Sequence, residues 1–234
     1  MQYNQSLIKT SGIYLLMKLN TAIFDMDGLL IDSEPIWNEA ATAIFENYNI
    51  HLTKEQYATT TGLRTKEFVH WWFSANNVPL KYAEDAEEKI VKKVSDLVIQ
   101  KGKAMPGIEH IFNFFTSRNF KIGLASSSPL SLINTVIDVL KIRNHLNVYA
   151  SAAELEYGKP HPEVYLNCAR QLNTSPLQCI CFEDSFYGLI AAKAARMKCV
   201  VVPDAKNQKD NRWNAADLKI ASLSNFNDLL LLSL

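Results

Sequence analysis

An α/β fold is predicted, with a doubly wound parallel sheet and an all-helical segment inserted after the first strand. Three observations predict it. Short apolar runs rich in β-branched residues recur at Thr21 to Phe24, Lys121 to Ala125, Val148 to Ala150, Cys179 to Phe182 and Cys199 to Val202. Helical periodicity lies between most of them, at Leu130 to Leu140, Glu163 to Leu172 and Tyr187 to Arg196, so the chain alternates β and α. The rhythm breaks from about 33 to 100, where helical patterns at Ile36 to Asn47 and Tyr82 to Gln100 have no convincing strand between them.

Each element follows from its pattern. Strands without polar alternation are buried on both faces, which requires helices above and below a parallel sheet. The sheet-bearing core is assigned to residues 19–32 and 104–234, and the helical cap to 33–103. The cap's exit carries turn residues, Lys101-Gly102-Lys103 and Met105-Pro106-Gly107. Residues 1–18 are read as an N-terminal extension, because Met17-Lys18 directly precedes the first strand. Their apolar stretch, Gly12 to Met17, is too short to span a bilayer, and a cytoplasmic monomer is expected.

Composition limits the partners. Lys plus Arg equals Asp plus Glu at 24 each, so no overall field draws the chain to nucleic acid or a membrane surface. An anionic ligand must be held locally. Cys168, Cys179, Cys181 and Cys199 lie in apolar runs without zinc-ligand spacing, and are expected as reduced core thiols. The five histidines show no metal-ligand spacing either.

Groups that carry chemistry fall at the strand ends, beyond which ligands bind in open parallel sheets. The first run ends in Asp25-Met26-Asp27-Gly28, the second in Ser126-Ser127-Ser128, and the fourth in Glu183-Asp184-Ser185. Lys159 follows the third run, in Gly158-Lys159-Pro160. If strand geometry persists past Phe24, Asp25 and Asp27 project on one side, where one attacks while the other transfers a proton. Glu183 and Asp184 add negative charge at the same rim, and two unit charges about 4 Å apart repel by roughly 4 kcal/mol at an effective dielectric near 20. Such a cluster calls for a cation, and oxygen ligands paired with a phosphate suit Mg²⁺. Ser126, with Ser127 beside it, stands ahead of a helix starting near Pro129 and supplies donors for phosphate oxygens, and Lys159 adds a compact positive charge.

Asp25-x-Asp27-Gly28, Ser126, Lys159 and Glu183-Asp184 together resemble the four motifs of the haloacid dehalogenase superfamily, and the helical insertion resembles its small cap. Asp32 to Trp37, Thr61-Gly62-Leu63-Arg64 and Lys159 to Leu166 are similar to the superfamily's bacterial hexitol-phosphate and 2-deoxyglucose-6-phosphate phosphatases. The resemblance implies an aspartyl-phosphate intermediate on Asp25, with Asp27 as general acid and base. It also implies Mg²⁺ held by Asp25, the backbone carbonyl of Asp27, and Glu183 or Asp184. The implied substrate is a phosphorylated sugar or polyol, with Arg64 reaching it from the cap.

Two alternatives stay open at this point. A β-phosphoglucomutase shares all four motifs but carries a His in the first cap helix where this sequence has Trp37. A response-regulator receiver has its acidic pair after the first strand, whereas here the adjacent pair comes late. Trp71, Trp72 and Phe73 cannot all face one side of a helix, so one or two are expected to pack in the cap and one to line the cleft.

Overall fold

The computed structural model describes residues 18–234; the expected N-terminal extension lies outside the described residues except for Lys18. Six strands form one parallel sheet: β1 Thr21–Phe24, β2 Lys121–Ser126, β3 Val148–Ser151, β4 Cys179–Glu183, β5 Lys198–Val201 and β6 Leu218–Lys219. Their order is β3-β2-β1-β4-β5-β6. From β1 the chain winds outward through β2 and β3, then returns to the other side of β1 as β4. The winding therefore reverses between β1 and β4, and their carboxyl ends open the crevice in which ligands of such sheets bind. Register pairs Phe24 with Phe182, so Asp25 and Glu183 come next on neighbouring strands.

β1, β2, β4 and β5 read as apolar runs because both faces are covered, whereas the edge strands β3 and β6 are partly exposed. On one face Phe24, Ile180, Phe182 and Val200 pack with α5 (Ile108–Thr116) and α6 (Leu130–Val139). Phe24 and Phe182 stack there with centroids 4.9 Å apart. On the other face Ile23, Cys179, Cys181, Cys199 and Val201 meet α7 (Glu163–Gln171) and α8 (Phe186–Ala194). Cys179 and Cys181 share this face, as alternation requires, and all four cysteines are free and buried. Burial raises their thiols, Cys179 to about 12, which keeps them protonated and unreactive.

Between β1 and α5 the chain forms four α-helices and no strand of the sheet: α1 Glu34–Phe45, α2 Lys54–Thr59, α3 Thr65–Ala75 and α4 Ala83–Lys101. Ala40, Phe45, Val69, Phe73, Ala86, Ile90 and Val94 are buried and recur at helical spacing along α1, α3 and α4. The outgoing and returning connections lie side by side: Asp32 N–H donates to Lys103 O and Met105 N–H to Leu30 O, both at 2.9 Å. Trp72 and Phe73 are buried, whereas Trp71 is exposed. Trp71 lines a groove with Arg64, His70 and Glu154 that none of the strand-end carboxylates enters. A short helix α9 (Asp228–Leu232) ends the chain. Among the described residues no helix is long and apolar enough to cross a membrane.

Candidate active site

The sheet brings Asp25, Glu183 and Asp184 together, with one carboxylate oxygen from each lying within 4.8 Å of the others. Pairing of β1 ends at Phe24, and the Asp25 N–H donates to Phe182 O at 3.0 Å, which locks the first residue beyond the strand onto β4. The chain then turns sharply, with Leu30 N–H bonding back to Met26 O. Gly28 takes φ +74°, and a Cβ there would stand 2.0 Å from Asp184 Oδ2. Only glycine fits this turn.

Lys159 joins the cluster from the loop after β3. Its ammonium has three donors, and they go to Asp25 Oδ1 at 2.5 Å, Glu183 Oε1 at 2.7 Å and Ala125 O at 3.2 Å. Burial alone would lower this lysine, but the charges of Asp25 and Glu183 outweigh it and hold Lys159 protonated. Asp25 is raised to about 8, first by burial and then by the charge of Glu183, against the opposing pull of Lys159. Burial likewise raises Asp184 well above the ordinary carboxylate range, with Asp25 and Glu183 adding to it.

The two acidic residues at the end of β4 differ. Glu183 is fully buried and saturated: Oε1 accepts from Lys159 and from the Tyr165 hydroxyl, and Oε2 from the Ser185 N–H and hydroxyl. Ser185 also accepts from Gly188 N–H, so the N-cap of α8 fixes that carboxylate. A Cβ on Gly188 would meet Glu183 Oε1 at 1.8 Å, so the helix approaches as closely as glycine allows. Asp184 accepts no hydrogen bond from the described residues, which makes it the freer oxygen donor. Three carboxylates against one ammonium leave two negative charges uncompensated when all are ionised. A divalent cation matches that deficit in both charge and donor type.

Asp27 sits slightly apart, half-buried. Trp37 Nε1 donates to its Oδ1 and Ser128 Oγ to its Oδ2, each at 2.8 Å. Ser126 Oγ accepts from Ser128 N–H, and Ser127 Oγ donates to Gly62 O across to the helical insertion. Arg64 is buried rather than extended into open space. Its Nη1 donates to Leu155 O at 2.5 Å and its Nη2 to Glu67 Oε1 at 2.6 Å, while Nε has no partner. Tyr165, Ser185 and Ser128 are site residues to which the sequence reading assigned no role of their own. Tyr165 and Ser128 reach Glu183 and Asp27 through tertiary contact, whereas Ser185, a helix N-cap two residues from Glu183, had a local signal.

Gly28→Ala is expected to keep the fold but displace Asp184, weakening metal affinity and lowering kcat at least about tenfold, with about 1–2 kcal/mol lost to the left-handed backbone. Calorimetric titration with Mg²⁺ and an initial-rate assay check this.

Comparison with known proteins places the chain in a family. Residues 22–202 match the family model described as haloacid dehalogenase-like hydrolase. Hexitol phosphatase B of Escherichia coli is 37% identical over 204 residues, 87% of this chain and 92% of that protein. A phosphorylated carbohydrates phosphatase of Thermotoga maritima is 29% identical, over 76% of this chain and 82% of its own length. Among solved structures, β-phosphoglucomutase from Clostridium difficile superposes with a TM-score of 0.81 at 25% identity, covering 92% of this chain and 96% of that one.

Proposed function

The chain belongs to the haloacid dehalogenase-like hydrolase family, and from that membership we propose that it hydrolyses small sugar or polyol phosphates through a phosphoryl group carried on Asp25. It is a phosphoric monoester hydrolase. One observation carries the mechanism: a buried Asp25 held by Lys159 at the switch point of the sheet, with Glu183 and Asp184 beside it.

Lys159 holds Asp25 Oδ1, leaving Oδ2 to attack phosphorus in line with the departing sugar oxygen. As the P–O bond to the sugar breaks, Asp27 gives its proton to that oxygen, and the phosphoryl group stays on Asp25. Water then attacks the phosphorus, Asp27 takes a water proton, and the Asp25–phosphorus bond breaks to release phosphate. Asp25, the Asp27 carbonyl and Asp184 would hold Mg²⁺, which would supply positive charge to the phosphoryl oxygens. Glu183, saturated by four donors, holds Lys159 in place. Ser126, Ser127 and Lys159 are assigned to the phosphate, which requires Ser127 to exchange its bond to Gly62. The helical segment 33–103 acts as a cap over the core of 19–32 and 104–234. Arg64 belongs to it and faces the substrate once it leaves the 152–156 loop.

The closest competing activity is isomerisation. Incubation with hexose 6-phosphates, hexitol 6-phosphates and β-glucose 1-phosphate, followed for both free phosphate and isomer, separates the two. Phosphate release from a 6-phosphate without isomer supports the phosphatase; isomer without phosphate release would replace it with a mutase.

Metal binding and pH are linked. Asp25 and Asp184 are raised, so metal-free protein holds protons there that Mg²⁺ must displace, and affinity is expected to rise with pH up to about 8. In the metal-free fold a carboxylate raised from 3.8 to about 8 costs stability progressively as pH rises through that window. Mg²⁺ at about 100 times its Kd adds about 2.7 kcal/mol, or about 5–10 °C in Tm for a chain of this size. At a fixed, subsaturating Mg²⁺ concentration, thermal melts should show a larger shift over EDTA at pH 8 than at pH 6. An equal or larger shift at pH 6 would contradict the linkage.

A further inference from the structure

We infer that Trp37 is a positioning residue for Asp27, gripping one carboxylate oxygen so that the other, Oδ2, carries the transferred proton. The inference rests on the phosphatase reading above. Trp37 lies in the first turn of α1, ten residues beyond Asp27, and its Nε1–H donates to Asp27 Oδ1 at 2.8 Å. Ser128 Oγ, buried in the loop after β2, donates to Oδ2 at 2.8 Å. The two donors are chemically unequal, since an indole N–H only donates, whereas a hydroxyl both donates and accepts.

That inequality selects an oxygen. A proton on Oδ1 would confront a fixed N–H and compete with its bond. A proton on Oδ2 needs only a turn of the Ser128 hydroxyl, which then accepts instead of donating. The rest of Ser128 is pinned, because its N–H donates to Ser126 Oγ at 3.0 Å and its carbonyl accepts from Ser151 Oγ at 2.7 Å. Only the hydroxyl rotor is free to change.

In the first half-reaction the Oδ2 proton passes to the sugar oxygen as its bond to phosphorus breaks, and Asp27 becomes a carboxylate held at Oδ1 by Trp37. In the second half Oδ2 takes a proton from the attacking water. Trp37 gives up no proton in either half. Because Trp37 belongs to α1 and Asp27 to the loop after β1, the grip also ties the aim of Asp27 to the placement of the helical insertion.

Trp37→Phe tests this, since it removes the donor while keeping an aromatic ring where Trp37 packs against the core. Single-turnover release of the leaving group is measured with enzyme in excess, for a hexitol 6-phosphate and for p-nitrophenyl phosphate. The alkoxide needs a proton and nitrophenolate does not. Trp37→Phe is expected to slow release of the hexitol about 10- to 100-fold, change nitrophenolate release by less than about twofold, and leave KM within about twofold. Trp37→Gln, which retains an N–H donor, should recover part of the loss. Equal losses on both substrates, or no loss on either, would overturn the inference. Asp27→Asn in the same assays must show the same asymmetry; if it slows both equally, the general-acid role of Asp27 has failed and the inference falls with it. If Asp27→Asn is asymmetric while Trp37→Phe is not, Asp27 keeps its role and Trp37 loses this one. Should Trp37→Phe not fold, solvent exchange of the Trp37 indole proton serves instead: Asp27→Ala should accelerate it at least about tenfold, and unchanged exchange would refute the grip.

Discussion

Asp25→Asn is expected to lower kcat by at least about 10⁴-fold at saturating Mg²⁺, the scale on which loss of a covalent nucleophile acts. The amide has the size of the carboxylate but a far weaker nucleophilic oxygen, so the loss falls on chemistry rather than on packing. Stability should not fall in parallel. The wild-type carboxylate is raised to about 8 by burial and the charge of Glu183, so at pH 8 about half of the metal-free protein carries a desolvated charge that the variant lacks. Lys159 keeps Glu183 Oε1 and Ala125 O as partners. Activity and thermal melts measured on one preparation separate the two effects. A variant that melts like wild type yet turns over at more than about one per cent of its rate would contradict the role given to Asp25.

Lys159→Met is expected to damage both activity and stability. The side chain is almost fully buried and bridges two carboxylates, and removing one partner of a buried ion pair costs about 3–5 kcal/mol. Loss of one preorganised positive group facing a phosphoryl transition state costs about 10²- to 10³-fold in kcat. The sign of the pH effect follows. Without the ammonium, Asp25 rises further than in wild type, so the folded state is stabilised by protons. The variant should therefore lose more of its Tm between pH 6 and pH 8 than wild type does. Melts in EDTA at both pH values measure this, and a pH-independent deficit would speak for a packing defect instead.

These effects concentrate on residues whose type and order were legible in the sequence. Asp25, Glu183 and Asp184 stand at or just beyond strand ends and Lys159 in the loop after β3, and the sheet order, which no motif announced, brings the ends of β1 and β4 together. The apolar runs marked the five longer strands, of which β1, β2, β4 and β5 are buried on both faces and β3, at the sheet's edge, only in part. β6 was invisible because it has only two residues, Leu218 and Lys219, too few to show a period. α2 was equally obscure, with six residues and none of them buried.

What the sequence left open was the division of labour inside the site. Glu183 and Asp184 are adjacent and chemically alike, yet one is saturated and the other free. The difference lies in Tyr165, which reaches Glu183 only once α7 has packed against the sheet, and in Ser185, whose N–H and hydroxyl turn back to Glu183 Oε2 at the N-cap of α8. Trp37 was legible as a departure from the mutase pattern, but its bond to Asp27 depends on where α1 begins. Arg64 read as a residue reaching toward substrate. Here it is buried against the carbonyls of Ala152 and Leu155, a placement fixed by the approach of α3 to the loop after β3 and by no local pattern.

The central claim is that the phosphoryl group rests on Asp25, and the most direct measurement is acid-quenched mass spectrometry of the protein during turnover with Mg²⁺ and a sugar phosphate. Asp27→Asn is used beside wild type to slow the hydrolytic half. A phosphoryl adduct on the peptide containing Asp25, formed and lost at rates compatible with turnover, is the predicted result. Turnover with no adduct in either protein, or an adduct on any residue other than Asp25, would contradict it.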